Sequence, residues 1–237
     1  DDVDEEAVKS LWNEIMTTIR PEINQTYRFF THYYMSIDNP GTADNVSKRL
    51  LYDYVDELLE EGLEETGITV EEMLDDMANK AEIYVDIVNC EVSENFDRRR
   101  LNELNEKLEA TQLKNNRIRT LLLRIITEYD DVEEVIEALN ILEVLNIRTK
   151  VAGRDSNTSR DRFWSRTCSK LADEENKNAY LQRLVRHRAP SDTVLIERMQ
   201  DREFKNNDFT KYILDSIEQD HYMKSSGKKV SDRDIVD

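Results

Sequence analysis

The sequence predicts an all-α protein, an irregular multi-helix bundle of about eight to eleven helices with no significant sheet. Its 237 residues include only 5 glycines and 3 prolines, whereas sheet-rich folds need many tight turns built from these two residues. Apolar residues recur at helical spacing along most of the chain, and no segment shows the alternation that marks a strand. No unit of about 20–50 residues repeats, which argues against a solenoid.

Three helices are expected in the N-terminal part of the chain. The first covers about residues 5–19, where apolar residues lie one turn apart on a single face. Pro21 is expected to open the second helix, because proline is tolerated in a first turn. Aromatic residues between 27 and 34 have the spacing of a buried helix face rather than that of a platform for stacked bases. A third helix is expected over about residues 45–61.

The middle of the chain contains clear signals for helix starts. Thr69 and Glu72 can form a capping box, in which each side chain accepts a hydrogen bond from the backbone N–H of the other residue. A helix is expected after this box, and another over about residues 98–108. The acidic run Asp130–Glu134 places carboxylates where a helix N-terminus favours them, so it predicts a further helix to about Arg148.

The second half of the chain is expected to be helical as well. A turn-rich loop after Val151 leads to a second candidate capping box at Thr158, which opens a helix. The other helices are expected over about residues 118–125, 180–185, 193–201 and 208–223. We expect one helical domain over residues 1–223, with a candidate subdivision near residues 90–130, and a polar tail or linker over residues 224–237.

The composition narrows the class of protein. Asp and Glu total 51 and Lys and Arg total 33, so the formal net charge is −18. This acidity fits a halophilic protein from a salty cytoplasm, where a dense carboxylate surface keeps proteins hydrated; docking of a basic partner is the alternative. No run of about 18 apolar residues predicts a membrane span, and the acidic start is not a signal peptide. The start also lacks an initiator Met, as expected of a piece cut from a longer protein.

Few residues of the chain are candidates for catalysis, redox chemistry or metal binding. Cys90 and Cys168 are the only cysteines and form no C-x-x-C motif, so we expect two reduced thiols and a cytoplasmic location. The single E-x-x-H pair, Glu218 and His221, is too little for a di-metal helical bundle, which needs two such pairs and further glutamates. Hydrolase and nucleotide-binding motifs do not occur. We therefore expect no catalytic residue, metal or cofactor in this chain.

One stretch of the chain departs from its acidity. Residues 141–190 carry 11 Lys or Arg against 6 Asp or Glu, whereas residues 1–140 carry 14 against 34. Arg162, Arg166 and Lys170 lie four residues apart and share one helix face. Such a face can contact successive phosphates, so DNA or RNA is an expected partner; the alternative is that the cations pair with acids on neighbouring helices. The candidate nucleic-acid-binding residues are Arg148, Lys150, Arg154, Arg160, Arg162, Arg166 and Lys170.

A series of short segments resembles the landmarks of one known family. The stretch Leu142–Arg148 is followed by Gly153, Asn157 and Thr158, and then Phe163. In that family, a helix ends in an arginine-rich turn, followed by a small residue, a Thr/Asn and an apolar helix. Further landmarks occur here in the same order, namely Trp12–Ile15, Phe29–Tyr34, Leu50–Tyr54, Ala81–Tyr84, Asp201–Phe204 and Lys211–Glu218.

These landmarks, spread over most of residues 10–220, resemble the helical region of GmrSD-type DNA-restriction proteins. The resemblance implies a ParB-like nucleotide-hydrolysing domain before this region and a His-Asn-His nuclease domain after it. The D-G-Q-Q-R motif of the first domain does not occur here, so the chain corresponds to the helical middle and no catalytic residue is carried over. The family turn often has two adjacent arginines, whereas Thr149 and Lys150 follow Arg148 in this chain.

The resemblance implies a function. Many proteins of this family act against phage or foreign DNA, some by sensing modified bases. The chain is then expected to be a non-catalytic helical domain of a modification-dependent restriction or phage-defence protein, with DNA and the other domains of the same polypeptide as partners. The alternatives are an acidic helical scaffold that binds proteins and has no nucleic-acid role, and a complete enzyme with an unrecognised site. No membrane partner is expected. The sequence does not decide whether the protein forms an oligomer.

Overall fold

The computed structural model describes residues 4–23, 26–36, 69–92, 100–113, 115–153, 158–201 and 207–226. All regular elements within these ranges are helical, which confirms the predicted all-α bundle. The helices are α1 (Glu5–Glu22), α2 (Tyr27–Ser36), α3 (Val70–Asn89), α4 (Leu101–Gln112), α5 (Arg119–Glu128), α6 (Val132–Val151), α7 (Thr158–Ala172), α8 (Lys177–Arg188), α9 (Asp192–Asp201) and α10 (Asp208–Ser226), with a 3-10 turn (Asn116–Ile118) before α5.

The chain divides into two compact units, Asp1–Ala189 and Pro190–Asp237. The first contains α1 to α8, and the second contains α9 and α10. A single domain over residues 1–223 stays a prediction. The expected helix over about residues 45–61 lies outside the described residues, as does the expected tail beyond residue 226. Of the helices that are described, none combines the length and the apolar character that crossing a membrane requires.

The core of the first unit is built around α5. Leu121, Leu122, Leu123 and Ile125 are fully buried on this helix, and Ile126 is almost so. These apolar side chains are buried because α5 contacts α2, α3, α6 and α7, while Arg124 and Glu128 on the same helix remain partly exposed. The amphipathic pairs α1 with α3, α4 with α6, and α6 with α8 complete the packing.

The prediction that Pro21 opens a second helix is wrong. Helix α1 continues through Pro21 to Glu22, and the next helix begins at Tyr27. Proline removes one helical hydrogen bond, but Ile19 and Ile23 are both buried on either side of it. The Ile23 N–H still donates to the Ile19 carbonyl at 3.0 Å. Tertiary packing therefore carries the helix past a residue that usually interrupts it.

The aromatic face predicted for the second helix is largely in the core. Phe30, Tyr33 and Tyr34 are buried, together with Phe29. Tyr27, at the start of α2, is the exception, because 48% of it is exposed. The prediction of a buried aromatic face is therefore confirmed for three of its four residues.

The local start signals form the caps that the sequence predicts. The Glu72 N–H donates to Thr69 Oγ1 at 3.1 Å, and the Thr69 N–H donates to Glu72 Oε2 at 2.8 Å. Asp131 accepts from the Glu133 N–H at 3.0 Å and so caps α6. Each of these bonds satisfies an N–H that has no partner within its helix.

Replacing Thr69 with alanine should remove one half of the capping box at α3. We expect a loss of about 0.5–2 kcal/mol in the free energy of unfolding, because the Glu72 N–H loses its partner. Urea denaturation followed by circular dichroism measures this change. Thr17→Ala, the same substitution at an exposed position within α1, is the matched control and should leave stability unchanged or slightly raised, since alanine favours helix. Equal losses in both variants would contradict the role of the cap.

Candidate nucleic-acid interface

Helices α7 and α8 form an antiparallel hairpin. At its open end, the Arg188 guanidinium lies over the Phe163 ring, 5.7 Å from the ring centroid. Closer to the turn, the Tyr180 and Thr167 side chains share a hydrogen bond. Arg183 Nη2 donates to Glu174 Oε2 at 2.9 Å across the turn itself. These contacts bring the last turn of α8 beside the first turns of α7.

The start of α8 is anchored to the body of the first unit. The Asn178 amide donates to the Glu134 carbonyl on α6 at 3.0 Å and accepts from the Tyr129 hydroxyl at 3.0 Å. Lys177 Nζ lies 3.4 Å from Glu128 Oε2 at the end of α5. Burial raises the pKa of Tyr129, and the nearby carboxylates, first Glu134, raise it further, so this hydroxyl stays protonated. The hairpin is therefore held at a fixed place on α5 and α6.

Most of α7 faces the core. Trp164, Cys168 and Leu171 are buried in the main apolar cluster. The Thr167 hydroxyl is buried as well and donates to the Phe163 carbonyl at 2.7 Å. Burial raises the pKa of the Cys168 thiol, so this side chain stays neutral. The buried residues of α7 are thus neutral, and they do not offset the charge of the cations on its solvent-facing side.

The solvent-facing side of α7 carries the predicted cations. Arg166 and Lys170 are exposed one turn apart. Neither forms an ion pair with a carboxylate in the described part of the chain. Among the described residues, these two cations are therefore not counterions for acids on neighbouring helices, which was the alternative interpretation. Their positive charge is directed to solvent, where it can meet a polyanion.

The structure distributes the other predicted residues differently. Arg160 and Arg162 lie in the first turns of α7, and Arg162 keeps the four-residue spacing to Arg166. Arg154 lies outside the described residues. Arg148 and Lys150 lie in the last turn of α6, where the negative end of the helix dipole stabilises cations. Both are half-buried, and each is engaged in a polar or electrostatic contact of its own.

The candidate residues omitted two cations that the fold brings to the same hairpin. Arg186 and Arg188 are exposed in the last turn of α8. Their signal was present, because residues 141–190 are basic as a whole, but only the antiparallel pairing places them beside α7. We call α7 and α8, with the exposed Arg166, Lys170, Arg186 and Arg188, the basic hairpin. Within the described ranges, no three His, Cys, Asp or Glu residues come close enough to hold a metal ion.

Comparison of the chain with protein-family models, with curated proteins and with solved structures finds no match. The resemblance to GmrSD-type restriction proteins therefore depends on the sequence landmarks alone.

Proposed function

We propose that this chain is a non-catalytic helical domain of a modification-dependent DNA-restriction protein. It would link a nucleotide-dependent sensor domain to a nuclease domain and contact the DNA backbone through the basic hairpin. The observation that carries the DNA contact is the exposure of Arg166 and Lys170, without carboxylate partners among the described residues, in a chain of net charge −18. The sequence landmarks support the assignment to a restriction protein.

The phosphate backbone is the part of DNA that this surface suits best. Arginine and lysine neutralise phosphates and release condensed counterions, which gives binding that is independent of sequence and falls steeply with salt. The rest of the chain is acidic and repels DNA, so it restricts the approach of a duplex to the basic hairpin. We expect an affinity in the range of non-specific binding, with Kd about 10⁻⁴–10⁻⁶ M at physiological salt.

Charge reversal at Arg166 and Lys170 tests the proposed contact. In the Arg166→Glu, Lys170→Glu double variant, duplex binding should weaken by at least about tenfold, because two attractive contacts become repulsive. The milder Arg166→Ala, Lys170→Ala variant should lower the slope of log K against log salt by about 2. Fluorescence anisotropy with a labelled duplex, measured over a series of salt concentrations, gives both quantities.

The matched control reverses two exposed cations elsewhere. Lys9 and Arg20 lie exposed on α1, so Lys9→Glu with Arg20→Glu changes the net charge by the same amount. This variant should keep nearly all of the duplex affinity, apart from a small loss through the overall charge. Equal weakening in both double variants would contradict a localised DNA contact. Absence of duplex binding by the unaltered protein at every salt concentration would contradict the function itself.

An acidic protein-binding scaffold is the second candidate, and one observation in the second unit favours it. Ile196, Leu214 and Ile217 are each more than half exposed, and the last two lie three residues apart on one side of α10. Exposed apolar side chains that share a face are typical of surfaces that contact other proteins. A chain that binds no duplex at any salt concentration would favour this function over the first.

A further inference from the structure

The open end of the basic hairpin holds an arginine on an aromatic ring. The central guanidinium carbon of Arg188 lies 5.7 Å from the centroid of the Phe163 ring, within the distance of about 6 Å at which a ring face attracts a cation. Arg188 is exposed and Phe163 is half-buried. An exposed arginine side chain otherwise samples many rotamers, so the contact with the ring restricts where its positive charge lies.

The ring of Phe163 is itself fixed by the core. It packs edge-to-face on Trp164, with the ring centroids 4.7 Å apart and an angle of 64° between the ring planes. Trp164 is only 4% exposed and belongs to the main apolar cluster. The Phe163 carbonyl accepts a hydrogen bond from the Thr167 hydroxyl at 2.7 Å. Phe163 is therefore a firm support, and the guanidinium that lies on it has a defined place beside α7.

Phe163 lies on the same side of α7 as the two exposed cations of that helix. Phe163, Arg166 and Lys170 follow one another after three and four residues, a spacing that places them on one helix face. With a rise of about 1.5 Å per residue, the three positions extend over about 10 Å. Arg188 reaches from α8 over the first of these positions. The fold thus adds a third cation, from another helix, one turn before Arg166.

The hydrogen-bond donors of Arg188 are available to a ligand. Across the described ranges, its side chain forms no hydrogen bond and no ion pair, although the chain contains 51 Asp and Glu residues. A guanidinium has five N–H donors in a fixed plane. Arginine can lie on an aromatic ring and still present a fork that matches two phosphate oxygens. Arg188 therefore combines a restricted position with donors that a phosphate can use.

On the basis of the DNA contact proposed for this chain, we propose that Arg188 binds a backbone phosphate and that Phe163 is the residue that positions it. A side chain that is ordered before DNA arrives loses less entropy on binding. The apparent affinity falls in proportion to the fraction of the protein in which Arg188 has the binding orientation. An exposed cation–π contact is strong enough to change that fraction about two- to fivefold.

A double-mutant cycle in duplex binding, measured by fluorescence anisotropy, tests this assignment. Arg188→Ala should weaken binding and lower the slope of log K against log salt by about 1, because one phosphate contact is lost. Phe163→Leu keeps an apolar side chain but removes the ring, and should weaken binding about two- to fivefold. In the Arg188→Ala background, Phe163→Leu should have no further effect, because the arginine that the ring positions is absent. Equal weakening by Phe163→Leu in both backgrounds would assign Phe163 a purely structural role and would overturn the proposal.

Two control variants accompany the cycle. Phe163→Tyr keeps an aromatic ring under the guanidinium and should bind duplex within about twofold of the unaltered protein. Arg20→Ala removes the same charge from an exposed position on α1 and should leave the salt slope unchanged. Duplex binding by the unaltered protein without coupling between Phe163 and Arg188 would overturn this assignment and leave the DNA contact standing. Absence of duplex binding at every salt concentration would overturn both.

Discussion

Replacing Leu122 with alanine is expected to lower the free energy of unfolding of the first unit by about 2–5 kcal/mol. Leu122 is fully buried, and it lies near the middle of α5, the helix that α2, α3, α6 and α7 surround. Truncation removes buried apolar surface and leaves a cavity, and helices that enclose α5 on several sides have little freedom to close it. Urea denaturation followed by circular dichroism measures the loss.

Val144→Ala is the control for this prediction. Val144 is 46% exposed on α6, so its truncation opens no cavity and should change stability by no more than about 0.5 kcal/mol. The Leu122 variant should also bind duplex as the unaltered protein does under conditions where it is folded. A loss below about 1 kcal/mol for Leu122→Ala would mean that α5 is not the centre of the core.

As the pH is lowered, the free energy of unfolding of the first unit is expected to fall first because of His32. Most carboxylates act only at lower pH. Burial, aided by three nearby arginines, holds the pKa of His32 at about 3 in the folded protein, whereas an unfolded histidine titrates near pH 6.5. Between these values the unfolded chain binds one more proton than the folded chain, so stability falls as the pH falls through this window. The slope from His32 approaches about 1.4 kcal/mol per pH unit, and above the window His32 has no effect.

The comparison that isolates His32 uses His32→Gln. Glutamine keeps a hydrogen-bonding side chain without a titrating group, so the variant should lose stability less steeply between about pH 7 and about pH 5. Free energies of unfolding from urea titrations at several pH values give both slopes. His187→Gln, at an exposed histidine of α8, should retain the acid sensitivity of the unaltered protein. Identical slopes for His32→Gln and the unaltered chain would show that His32 does not control it.

The proposed DNA contact follows from the charge balance of the chain. A chain with 51 acidic residues repels polyanions over most of its surface, so cations without carboxylate partners mark the few places where an anion can bind. The basic hairpin presents exposed cations on two adjacent helices and suits an extended polymer.

The amino-acid sequence by itself determined the helical class and the local details of several helices. Apolar spacing and the scarcity of glycine and proline were enough to predict an all-α bundle. The caps at Thr69 and Asp131 follow from residues that lie within three positions of each other. The four-residue spacing of Arg166 and Lys170 predicted a shared face. These features are local, since the interacting groups are neighbours on one helix turn.

Only the tertiary structure decided how distant segments meet. Burial of Ile19 and Ile23 carries α1 through Pro21, and the antiparallel hairpin places Arg188 on Phe163. The His32–Tyr84 hydrogen bond joins residues 52 positions apart, and Arg119 reaches that pair from a third helix. No periodicity encodes these contacts, because they depend on which helix faces pack together and on the free energy of burying them, and both are properties of the assembled core.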